Sequence, residues 1–251
     1  MIALTLSWLC SIWYIRRYDP ELEFPLLPHG FDGKTLRKMV KIGLPLGMNT
    51  ALYSTGHVIL QVLFNLQGST FVAGCSVAGK VASFANLAIV ALSSTMTVFS
   101  GQNLGAKNYR RLCRGAWLMP LCAGAATLVA GIFVTIFCQP LLALFTRDTA
   151  VLVYAIRYIH IVLPFTWMYA VMNVIMCFAN GIGEIRYPTI VNLFILWGVR
   201  IPVAYLLSQL GYGGYAMASV PFSFFAGMIM MLFYFRTKRW AELRAREKNE
   251  P

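Results

Sequence analysis

The sequence predicts an all-α membrane protein, a bundle of six transmembrane helices preceded by the end of another helix. Three observations predict it. Of 251 residues, 59% are hydrophobic and only 12% charged, with a mean hydropathy of +0.66; a soluble domain carries about twice that charged fraction. Apolar runs of about 20 residues, the length a helix needs to cross a bilayer, recur along the chain. Between them, lysine and arginine collect in every second connection.

The full spans fall at about residues 42–66, 71–99, 115–137, 151–180, 189–210 and 214–235. Residues 1–15 form a shorter apolar stretch, read as the end of a truncated transmembrane helix. Residues 16–41 are a cytoplasmic loop. Pro20, Pro25 and Pro28 forbid a continuous helix in its first half. In its second half Leu36, Met39, Val40 and Gly43 share one face of an amphipathic helix, with Lys34, Arg37, Lys38 and Lys41 near the headgroups. Residues 42–235 form the six-helix transmembrane lobe, and residues 236–251 a basic tail.

Orientation follows from the cations. The connections at 16–41, 107–114, 186 and 236–248 hold 17 lysines and arginines, whereas those at 65–70, 139–150 and 210–214 hold one, Arg147. Basic residues accumulate on the cytoplasmic side of a membrane. The tail is therefore expected inside, in a multi-pass protein of the inner (plasma) membrane. This also accounts for the net charge of +12 without nucleic acid as a partner; the partner is the lipid bilayer. On this orientation residues 1–15 run towards the cytoplasm, which points to a missing N-terminal lobe upstream.

Polar groups inside the spans are the functional candidates, because their burial in hydrocarbon is costly. Asn49, Tyr53, His57 and Gln61 stand four residues apart in the first full span. Each step of four drifts about 40° around a helix, so the set keeps to one broad face. That face lines a cavity or pairs with a neighbouring helix. Lys80 and Asn86 lie within the second span, Lys80 among Gly74, Ala78, Gly79 and Ala82. Arg200 stands mid-span two residues before Pro202, where it either donates to carbonyls freed by a kink or faces a substrate. Arg157 and His160 sit near the outer end of their span, within snorkelling reach of water.

Other chemistry is missing. All nine acidic residues fall in loops, at helix ends or in the tail, so no intramembrane carboxylate is present to bind Na⁺ or H⁺. There is no GxxxxGK[ST] phosphate loop. His29, His57 and His160 lie at three different depths, and no catalytic cluster forms, so an enzyme is not expected. The six cysteines show no CxxC pair, and five sit in apolar stretches as packing residues. Neither a metal site nor a cofactor is expected.

Four segments carry a family resemblance. "FSGQNLGAKNYRRLCRGA" closely resembles the signature that follows the second helix of each lobe in the multidrug and toxic compound extrusion (MATE) family. "KIGLPLGMNTALYS" resembles the opening of that family's second lobe. "NGIGEIRYPTIVNLFILWGVRIPVAYLL" and "GYGGYAMA" resemble its loop and eleventh helix, and the turn into its last helix. The resemblance implies a twelve-helix fold of two six-helix lobes, with this chain as the second lobe plus the tail of the sixth helix. It implies secondary active efflux of amphiphilic, often cationic, small molecules by cation-coupled antiport through alternating access. Several members carry a glutamate ten residues after the glycine of "GLP"; counting from Gly43 gives Tyr53, so the coupling site for Na⁺ or H⁺ is expected outside this chain. Tyr53 is instead suited to stack on a flat or cationic substrate. Pro45, Pro164, Pro202 and Pro221 are expected to supply bends. Two other functions remain open: a flippase of lipid-linked or polar metabolites from the same superfamily, which a basic cavity built from Lys80, Arg157 and Arg200 would favour, and a truncated membrane fragment that transports nothing.

Overall fold

A computed structural model describes residues 2–18 and 33–248, all in helices and short connections. The expected proline-rich half of the first loop lies outside the described residues. The chain divides into two units, Met1–Gly47 and Met48–Pro251. The smaller holds α1 (Ile2–Tyr18), in which Arg17 lies 5.3 Å above the Trp13 ring, and the start of α2 (Gly33–Asn65). The amphipathic segment and the first expected span are thus parts of one helix.

The larger unit continues through α3 (Ser69–Gly105), α4 (Tyr109–Ile136), the short α5 (Cys138–Ala143), α6 (Thr149–Val162), α7 (Thr166–Gly181), α8 (Arg186–Phe194), α9 (Ile201–Gln209), α10 (Ser219–Phe233) and α11 (Lys238–Lys248). Among the described residues five stretches are long and apolar enough to cross a membrane: Ser69–Gly105, Tyr109–Ile136, Thr149–Gly181, Arg186–Gln209 and Gly213–Arg236. They correspond to five of the six expected spans. The sixth, at 42–66, belongs to α2, where the polar ladder itself dilutes the apolar run.

α3 is the central helix and packs on α4, α6 and α7. The reason is legible in its spacing. Phe71, Gly74, Ala78, Val81, Ala85, Ile89, Ser93, Met96, Ser100 and Asn103 are buried, three or four residues apart, so they form one stripe along a helix. Half are glycine, alanine or serine, which lets helix backbones approach without relying on a hydrophobic driving force that lipid cannot supply. The opposite face carries Phe84, Leu87, Val90 and Val98, all exposed.

The joint between α3 and α4 is built from the segment that carries the resemblance. Asn103 Nδ2 donates to the Phe99 carbonyl at 2.7 Å, and the Asn108 N–H closes onto the Asn103 carbonyl at 2.9 Å. Lys107 adopts φ 58°, a left-handed conformation that costs a non-glycine residue. Asn108 then caps α4, its Oδ1 accepting from the Arg111 N–H at 3.1 Å. Asn108→Ala is expected to cost about 1 kcal/mol, read as a drop of about 2–4 °C in the melting midpoint of the detergent-solubilised protein. An unchanged midpoint would show that water satisfies that helix end equally well.

Prolines interrupt two spans differently. Pro164 sits in the 3₁₀ turn Leu163–Phe165 between α6 and α7. Pro202 follows a π-helical turn, Ile195–Arg200, in which the Ile201 N–H reaches back to the Leu196 carbonyl. Proline has no N–H to continue the ladder, and the wider turn absorbs the break. Pro221 occupies the first turn of α10, where no intrahelical donor is needed; the Pro45 side chain lies outside the described residues. The basic tail is more than a solvated strand: over Lys238–Lys248 it is helical and buries Trp240 and Leu243. Trp240 meets Phe178 and Phe235 edge-on, and Arg246 donates to the Tyr109 hydroxyl at 3.3 Å.

Candidate functional site

The π turn and the α10 N-terminal half place Arg200 at the wall of a cavity of about 450 Å³. Tyr53 from α2, Asn86 from α3, Tyr158 from α6, Tyr169 and Asn173 from α7, and Phe224 from α10 share its lining with the aliphatic Ile89, Val90 and Val220. Asn86 is halfway along its 37-residue helix, and Arg200 lies inside the 24-residue stretch Arg186–Gln209. The cavity therefore sits far from the ends of the spans, where hydrocarbon surrounds the bundle.

Arg200 is held by a single hydroxyl. Nε and Nη2 lie 3.1 and 2.9 Å from Ser223 Oγ. Ser223 in turn donates to the Val220 carbonyl of its own helix, so its lone pairs are left for the guanidinium. The Phe224 ring lies 5.6 Å from Cζ, a cation–π distance. Asn173 Nδ2 donates to the Tyr169 hydroxyl at 3.3 Å, and the Tyr169 and Phe224 rings pack 4.9 Å apart. No carboxylate lies in any of the five spans or in α2. Among the described residues both ion pairs belong to α11, Arg239 with Glu242 and Arg244 with Glu247. A buried charge is costly unless paired, and among the described residues Arg200 has no counter-charge. A monovalent cation about 6 Å from the guanidinium would be repelled by roughly 3 kcal/mol at an effective dielectric constant near 20.

The structure brings together three of the expected site residues, Tyr53, Asn86 and Arg200. His57 and Gln61 are not among the residues that line the cavity. The exposed His57 ring packs edge-on against Tyr53 at 4.7 Å. Gln61 is exposed and donates to Asn65 Oδ1 at 3.0 Å. The Asn49 side chain lies outside the described residues. Lys80 is exposed, with Nζ 5.9 Å from the Phe145 ring, and does not line the cavity. Arg157 lies between the Tyr154 and Tyr215 rings, at 5.6 and 4.8 Å, also away from it. Sequence reasoning misses Tyr158, Tyr169 and Asn173, although the last two repeat the four-residue polar spacing seen in the ladder.

α2 reaches the cavity through a close contact. The Trp197 indole donates to the Leu52 carbonyl at 3.3 Å, and a side chain at Gly56 would meet Leu196 Cγ at 2.9 Å. The π turn is thus both the seat of Arg200 and the surface on which α2 rests. A larger groove of about 570 Å³ opens elsewhere, among His160, Phe165, Met168, Pro221, Phe222 and Phe225. Its lining is apolar apart from His160, whose Nδ1 is engaged 2.9 Å from the Ile156 carbonyl. It offers no convergent polar groups, so the smaller cavity at Arg200 is the better candidate.

Five membrane-length apolar stretches around a mid-span polar cavity define a multi-pass membrane protein. The MatE family model matches residues 45–206, and the chain belongs to that family. It is 26% identical over 216 residues to the probable multidrug resistance protein YoeA of Bacillus subtilis (strain 168), covering 83% of this chain and 46% of that protein. The probable multidrug resistance protein NorM of Thermotoga maritima is 22% identical over 89% of this chain and 48% of its own length. The chain spans about half the length of these relatives. Its fold matches a multidrug resistance MATE transporter of the MOP superfamily in the outward-facing conformation, with a TM-score of 0.77 at 18% identity, over 98% of this chain and 55% of that one. An inward-facing MATE structure matches with a TM-score of 0.70 at 16% identity, over 88% and 51%.

Proposed function

We propose that this chain supplies one lobe of a secondary active transporter that exports amphiphilic small molecules across the plasma membrane. Export would run by alternating access in antiport with Na⁺ or H⁺. The carboxylates for the coupling ion would come from the other lobe, because the spans of this chain hold none. The basic connections would face the cytoplasm, and with them the C-terminal helix α11. The observation that carries the reading is the mid-span cavity with Tyr53, Asn86 and Arg200 on its wall, in a chain of the MatE family. Aromatic walls suit flat substrates of varied structure, and a few fixed polar groups orient them. The break at Ile195–Arg200 and Pro202 supplies a joint at which the cavity wall can move.

The test is drug accumulation in an efflux-deficient cell, comparing this chain alone with the same chain joined to a first lobe. Export is expected only from the joined form. In that form Tyr53→Ala is expected to weaken efflux about 3- to 30-fold, the worth of one stacking contact, at unchanged expression. Unchanged efflux at equal expression would remove Tyr53 from the substrate path. Arg200 favours a second reading, a flippase of polar or lipid-linked metabolites. Lys80 and Arg157 do not reinforce it, since neither reaches the cavity.

A further inference from the structure

The cavity at Arg200 is chemically one-sided. Among the described residues that line it, the one charge is the guanidinium and none is acidic. Nε and one proton of Nη2 are directed at Ser223 Oγ. Nη1 has no hydrogen-bond partner among the described residues. A guanidinium presents five donors in a flat fork that fits two oxygens of one anion. Tyr53 and Tyr158 also line the cavity, their hydroxyls without a hydrogen-bond partner among the described residues, and Asn86 and Asn173 add amide donors. Tyr53, Tyr169 and Phe224 supply aromatic surface on the same wall.

We propose that this cavity binds an amphiphilic organic anion, a flat apolar body bearing a carboxylate, sulfonate or phosphate seated on the open edge of the Arg200 fork. The inference rests on the transporter reading of the same site and names its substrate class. Ser223 is the positioning residue: its hydroxyl accepts from Nε and Nη2 and so leaves Nη1 free. The aromatic wall holds the body of the ligand, and the anion compensates a charge with no ion-pair partner among the described residues. A cationic amphiphile of the same shape meets the same wall and is repelled by the guanidinium.

The experiment uses the full chain in phosphatidylcholine nanodiscs and a probe set matched in shape: 2-naphthalenesulfonate, 2-naphthyltrimethylammonium and neutral 2-naphthalenemethanol, each followed by equilibrium dialysis. The sulfonate is expected to bind roughly tenfold to hundredfold more tightly than the ammonium, the worth of a charge-assisted hydrogen-bond pair. Arg200→Gln is expected to erase that preference while leaving the neutral probe within about threefold. Arg200→Lys keeps the charge without the fork, and retains part of the preference. Should Arg200→Gln fail to fold, the charge comparison on the unmodified chain still decides. Equal or tighter binding of the ammonium overturns the proposal, as does a preference that survives Arg200→Gln. Repeating the measurement with phosphatidylglycerol in the disc separates the two sources of an anion: displacement of the sulfonate assigns the site to a lipid headgroup, and no displacement to a free organic anion. Efflux of the probes from cells carrying the chain joined to a first lobe is read separately. Export of the ammonium alone sinks the anion assignment and leaves the transporter standing, whereas export of none sinks the transporter reading itself.

Discussion

An Arg200→Met variant is expected to melt higher than the unsubstituted chain and, when joined to a first lobe, to export nothing. The two readings of a mid-span arginine beside a proline predict opposite signs here. If Arg200 served to satisfy carbonyls freed by the break at Pro202, its removal would leave acceptors buried and unpaired, at about 1–3 kcal/mol each. The geometry shows no such role: the guanidinium bonds a serine hydroxyl on α10, and that hydroxyl keeps its own carbonyl partner, Val220, when the arginine is gone. What is lost is a half-buried charge with no ion-pair partner among the described residues. Exchanging buried charges for apolar residues of similar volume is often neutral or stabilising by about 1–4 kcal/mol. A gain of that size raises the melting midpoint by several degrees. The measurement pairs a thermal melt in detergent with efflux at matched expression. A lower midpoint would return Arg200 to a structural role, and retained efflux would remove it from the substrate path.

Gly181→Ala is expected to lose most of the folded protein, while Gly79→Ala, on the same α3–α7 pair of helices, is expected to be tolerated or to stabilise. A Cβ at Gly181 would lie 2.5 Å from the Thr97 carbonyl oxygen and closer still to Ser100 Oγ. The serine can rotate, but the carbonyl belongs to the α3 backbone. Overpacking of this kind costs about 1–3 kcal/mol, occasionally more. It falls on the crossing of the central helix with α7, whose Phe178 and Ala179 are fully buried. A Cβ at Gly79 would meet nothing within 4 Å, so alanine there gains about 1 kcal/mol of helix propensity. Removing the serine hydroxyl as well, in Ser100→Ala with Gly181→Ala, should not restore the fold, because the carbonyl remains. The readout is the monodisperse fraction on size-exclusion chromatography after solubilisation. Equal recovery of the two alanine variants would mean that the α3–α7 crossing yields more readily than its packing implies.

The candidate site is partly legible in the sequence. Tyr53, Asn86 and Arg200 stand out because polar groups in apolar runs are rare, and all three line one cavity. Of the described ladder residues on α2, only Tyr53 lines that cavity. The ladder's drift of about 40° per step accumulates, and Gln61 ends beside Asn65 instead of in the cavity. Tyr158 and Tyr169 are hidden in the sequence for a different reason: a tyrosine inside an apolar helix reads equally well as packing. Lys80 resembles Arg200 in sequence, a cation within an apolar run. Its helix face decides otherwise, since it lies between the buried stripe positions Ala78 and Val81 but is itself exposed.

By itself the sequence determined the class of protein, five membrane-length apolar stretches and the family. These follow from one-dimensional quantities: apolar run length, the distribution of lysine and arginine, and short motifs whose glycines and asparagines close helix ends locally. Only the tertiary structure decided which polar groups meet. Arg200 and Ser223 are 23 residues apart, and Tyr53 reaches the same cavity from α2. The depth and rotation of each helix are set by side-chain packing between helices, which no pattern along a single segment encodes. The meeting of Arg200, Ser223 and Tyr53 at one cavity is therefore a property of the assembled bundle.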